Sequence, residues 1–113
     1  MIAITTVAEE RSTLVLDVSF RDENGDPVTP NSASWTLTNA DGDVINGRAD
    51  VTIFPLETTA HIVLTGADLA LSSDAATKYR RIVTVTATYD SDLGTDLSLT
   101  EQIEFYVQSM VAI

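Results

Sequence analysis

Cysteine is absent from this chain of 113 residues. Disulfide staples, cysteine–zinc sites and thiol nucleophiles are thereby excluded. Bases are scarce: 6 Lys and Arg stand against 17 Asp and Glu, for a net charge of -11. A surface of that sign repels nucleic acid and anionic membranes, which both require basic patches, so neither is expected as a partner. Long hydrophobic runs are missing too, and nothing approaches the ~20 apolar residues of a membrane helix. The opening "MIAITTVAEE" has no basic n-region, and threonines break its short apolar stretch. It does not read as a secretory signal, which sets an expectation of synthesis and first folding in the cytoplasm. Histidine and tryptophan occur once each, as His61 and Trp35.

What the chain has is alternation, on a hydrophobic content of 44% that suffices for a core. In "TLVLDVSF", Leu14, Leu16, Val18 and Phe20 share one parity and Asp17 and Ser19 the other. That is a half-buried strand with one wet face. "SASWTLTN" repeats the pattern with Ala33, Trp35 and Leu37 inward; "ADVTIF" offers Val51 and Ile53, and "TTAHIVLTG" offers Ala60, Ile62 and Leu64. In "YRRIVTVTATY" the apolar parity runs Tyr79, Arg81, Val83, Val85, Ala87 and Tyr89. The last strand sets Leu97, Leu99, Ile103, Phe105 and Val107 inward with Glu101 among them, so a bulge near Thr100 is expected to turn Glu101 out.

Asp-, Asn- and Gly-rich turns separate these runs, with Gly25, Gly42 and Gly94 expected to supply positive φ. Only "TGADLALSSDAATK" has helical character, and it is short enough to predict a turn or 3₁₀ segment, capped by Thr65 or Asp68. Seven to eight short strands at regular spacing predict one all-β domain over residues 1–113. The expected form is an immunoglobulin-like antiparallel β-sandwich with Trp35 buried on its third strand, a small closed barrel being the alternative.

The acids are the first candidate site. Two loops at one end of such a sandwich would gather Asp22, Glu23 and Asp26 with Asp90, Asp92 and Asp96, hard oxygens of the kind calcium takes. The spacing is not that of an EF-hand, and Asx turns account for the same residues, so no metal or other cofactor is expected. All acids are expected in turns or on wet faces, where nothing raises a carboxyl pKa. His61 reads as a half-exposed strand residue, without the carboxylate and nucleophile that catalysis needs. Arg80 and Arg81 point to opposite faces, either to pair with Asp74 or Asp68 or to make a subunit contact. Met110, Val111 and Ile113 continue an apolar extension over 108–113, a second interface candidate. Carbohydrate binding would need an exposed aromatic platform, and the core parity of Trp35 leaves Tyr106 and Tyr89.

The stretch "SFRDENGDPVTPNSASWTLTNADGDVI" resembles the opening of small immunoglobulin-like domains in virion proteins of tailed bacteriophages. The resemblance lies in D-x-x-G-x-P-V-x-P, then an apolar strand, then D-G-x-V-I. It is carried by Asp22, Gly25, Pro27, Val28, Pro30, Trp35, Asp41, Gly42, Val44 and Ile45. It implies a structural protein without catalytic residues, placed in the virion (tail, neck, baseplate or capsid surface). Its partners would be other virion proteins and copies of itself. Bacterial surface immunoglobulin-like repeats share the D-x-x-G-x-P-V run, so a calcium- or carbohydrate-binding adhesion module is the alternative.

Overall fold

The structure is a computed structural model that describes residues 2–9, 11–69 and 78–108. Seven strands form: β1 Ile2–Glu9, β2 Thr13–Ser19, β3 Ser32–Asn39, β4 Val51–Thr52, β5 Thr59–Thr65, β6 Lys78–Ser91 and β7 Gly94–Gln108. Five of them make one sheet in the order β1-β7-β6-β3-β4, and β2 and β5 make the other. Placing the second and fifth strands opposite the third, sixth and seventh is the strand distribution of an immunoglobulin-type sandwich rather than a closed barrel. All pairings are antiparallel except that of β1 with β7, which is parallel.

The alternation in the sequence translates directly into burial. Leu16 and Val18 of β2, Ala60, Ile62 and Leu64 of β5, and Ala33, Trp35 and Leu37 of β3 are buried. They meet Val83, Val85 and Ala87 of β6 and Ile103, Phe105 and Val107 of β7 in one core. Trp35 stands directly opposite Val85 across β3 and β6. A 3₁₀ turn, Gly66–Leu69, opens the segment for which a turn or 3₁₀ segment was predicted.

Three local expectations need correction. No bulge forms near Thr100: the β6–β7 register runs unbroken from Lys78↔Gln108 to Tyr89↔Leu97, and its shift falls between Tyr89 and Ser91. Glu101 keeps the inward parity, yet it is only half-buried. The second sheet has two strands and leaves a hollow of about 360 Å³ there, which Arg21 and Asp17 also line. Secondly, Gly94 does not supply the positive φ of the last hairpin. Gly25 and Gly42 do so in their turns, but near the hairpin the left-handed residue is Asp96, at φ 50°. Aspartate tolerates that region through local side-chain bonding. Thirdly, β4 is only two residues long, although Ile53 N–H still donates to Ala33 C=O.

Candidate functional site

The acidic loops do meet at one end of the sandwich, but the carboxylates of Asp22, Glu23, Asp90 and Asp96 are already engaged. Asp22 Oδ1 accepts the backbone N–H groups of Asn24 and Asp26, an Asx turn around Gly25. Glu23 reaches across to the last hairpin, accepting from Tyr89 Oη at 3.2 Å and Ser91 Oγ at 2.9 Å. Asn31 Nδ2 donates to both Asp90 and Asp96, and Asp96 N–H donates to Asp90. That backbone bond, followed by the one from Asn31, lowers the Asp90 pKa. Burial raises the Tyr89 phenol pKa, with the Glu23 charge adding to it. Among the described residues no three acidic or histidine side chains converge to hold a cation.

One acid lies in a turn, as expected, yet out of contact with water. Asp68, in the 3₁₀ turn, is fully buried. Arg48 Nε lies 2.8 Å from its Oδ1 and Asn46 Nδ2 2.8 Å; the Thr65 N–H donates to Oδ2 at 3.2 Å. Burial acts to raise the Asp68 pKa, but the bonds from Arg48, Asn46 and Thr65 outweigh it, and the net shift is downward. Arg48 also lies over the Trp35 ring, 5.8 Å from its centroid. The cluster therefore ties the β3–β4 loop, the 3₁₀ turn and the tryptophan together.

The arginine pair separates as its parity predicts, but neither pairs with Asp68, which Arg48 occupies. Arg80 pairs with Glu104 at 2.9 Å. Arg81 is buried at 8% exposure, packs over the Tyr79 ring, and donates to the Arg80 carbonyl. Asp74, Met110, Val111 and Ile113 lie outside the described residues. His61 does have a carboxylate neighbour: Asp17 sits opposite it across β2 and β5 and hydrogen-bonds Nδ1. Both side chains are about two-thirds exposed, at 67% and 69%, a setting in which such pairs contribute little.

Aromatic placement differs most from the sequence reading. Tyr89 is buried and Tyr106 is 38% exposed, whereas Phe54 is 87% exposed. Phe54 projects between two hollows. One, of about 670 Å³, is lined by Asp50, Thr52 and hydroxyl residues of β3, β6 and β7. The other, of about 360 Å³, runs between Ile53, Pro55 and the side of β5. No Lys or Arg lines either hollow. The signal for Phe54 was present in "VTIF": with Val51 and Ile53 inward, Phe54 follows on the outward parity. Comparison with protein-family models, with curated proteins and with solved structures finds no match to this chain.

Proposed function

We propose that this chain is a non-enzymatic structural domain of a tailed-bacteriophage particle, working through sheet-edge and sheet-face contacts with neighbouring virion proteins. The observation that carries the assembly role is the small sheet. Among the described residues neither β2 nor β5 has a second strand neighbour, so each leaves a row of backbone groups open to pairing. On its outer face Val15 and Val63 stand opposite each other, 51% and 50% exposed. An apolar cross-strand pair flanked by an open edge suits a docking surface and serves no purpose in an isolated strand pair. The phage setting is supported by the D-x-x-G-x-P-V-x-P run, which forms the Asx turn and the lead into β3.

The test is made on particles of the phage that encodes the chain. Purified virions should contain it, by mass spectrometry, in stoichiometric amounts. A Val15→Lys/Val63→Lys variant should melt close to the unmodified protein, since both positions are half exposed, but its incorporation should drop. Absence of the protein from purified particles, or full incorporation of the variant, would overturn the reading.

A further inference from the structure

The outer face of the large sheet is a field of hydroxyls. The registers align Ser32, Thr88 and Ser98 in one row across β3, β6 and β7, and Ser34, Thr86 and Thr100 in the next. Within these rows the hydroxyls of Ser32 and Thr88 lie 2.9 Å apart and those of Ser34 and Thr86 3.1 Å apart. Two hydroxyls bonded to each other use one of their two protons. Each pair therefore still offers a donor and several acceptors to a third group.

Thr86, Thr88 and Thr100 line the 670 Å³ hollow at whose rim Phe54 stands, with Asp50 alongside. Its volume lies within the range of small-molecule sites. We propose that this hollow binds a neutral oligosaccharide. A pyranose has one C–H-rich face and a rim of hydroxyls. Phe54 offers its ring to the C–H face, whose slightly positive hydrogens suit the negative π-cloud. The Ser–Thr pairs and Asp50 answer the rim: the carboxylate accepts, and the hydroxyls both donate and accept. The absence of Lys and Arg from the lining, with a net charge of -11, selects against anionic glycans. The inference does not depend on the virion reading, because particle incorporation is measured separately from sugar binding.

The experiment titrates the full ¹⁵N-labelled chain with hexamers of glucose, mannose, galactose and N-acetylglucosamine, and with oligogalacturonate as the anionic probe. At least one neutral probe should shift the backbone amides of Phe54, Thr86, Thr88 and Thr100. Phe54→Ala should weaken that binding about tenfold or more. Its melting temperature should hold, because the ring is 87% exposed. Thr86→Val, which keeps shape and removes one hydroxyl, should weaken binding several-fold. The proposal is overturned if no neutral probe moves these amides, if oligogalacturonate alone binds, or if both variants bind as the unmodified protein does.

Discussion

At the scale of single residues, Trp35 and Asp68 stabilise the fold in different ways. Trp35 is buried at 6% exposure against β6, beneath the Arg48 guanidinium. Its removal in Trp35→Ala should cost about 3–5 kcal/mol, lost transfer energy plus the cavity left behind. Intrinsic fluorescence should be blue-shifted in the folded protein and move to the solvated position with the same denaturation midpoint as circular dichroism. Asp68 was not recognisable as buried from sequence, because "TGADLA" is a short polar turn. What buries it is a loop some twenty residues earlier that brings Arg48 and Asn46 onto it, a tertiary event without local periodicity. Its pKa is lowered in the folded state. Its contribution is therefore fully present above the unfolded carboxyl value of about 3.9 and lost as pH falls through the folded value. Asp68→Ala, which strips Asn46 and Thr65 of their acceptor while the half-exposed Arg48 can turn to solvent, should cost about 1–3 kcal/mol near neutral pH. Thermal melts against pH should show that gap closing below about pH 4, because protonation removes the same charge from the unmodified protein.

At the scale of elements, β2, β3, β5, β6 and β7 were legible because a period of two runs through each; β1 was not, because threonines interrupt its apolar stretch. Trp35, Val85 and Phe105 could be placed inward by counting alone. Register and partnering were not legible. The bulge expected at Thr100 rested on the rule that an inward Glu101 must be expelled, and that rule assumes a covering sheet. With only β2 and β5 on that side, Glu101 keeps its parity beside Arg21 and the strand stays regular. The hydroxyl rows behind Phe54 likewise depend on three strands coming into line, which no single strand reveals. The acidic loops illustrate the reverse case, in which the local reading suffices: Asx chemistry at Asp22 explains its own turn. Chelator and millimolar calcium should therefore give coincident melting curves. A shift of many degrees would reveal a site, since filling one at a hundred times its dissociation constant adds about 2.7 kcal/mol. The edge strand β1 is a further point of control. Deleting residues 2–9 would leave β7 without its outer neighbour and uncover the core at the buried Ala8. The shortened chain should melt earlier and self-associate, measurable by light scattering.

Taken whole, the molecule is a rod of 54 × 25 × 24 Å. Its length is that of the β6–β7 hairpin. Fifteen residues of β7 at about 3.3 Å each span roughly 50 Å, and the other strands lie along that spine. The charge of -11 is spread over this rod and opposes close approach of copies at low ionic strength. Any self-association through Val15 and Val63 should accordingly strengthen with added salt, which sedimentation velocity across a salt series would detect. A monomer at every ionic strength would assign that face to a different, less acidic partner.

The parallel pairing of β1 with β7 has a mechanical consequence. Ile2 stands level with Ile103, and Glu9 with Gln108. Tension applied between the start of β1 and the end of β7 pulls these two strands lengthwise past each other, in shear. The backbone hydrogen bonds on either side of the register shift between Ala3 and Val7 then share the load rather than opening one at a time, as they would in a hairpin peeled from its ends. A domain clamped in this way resists stretching between its ends far better than its modest size suggests. Single-molecule pulling from the two ends should show one high, cooperative rupture, and removing β1 should abolish it.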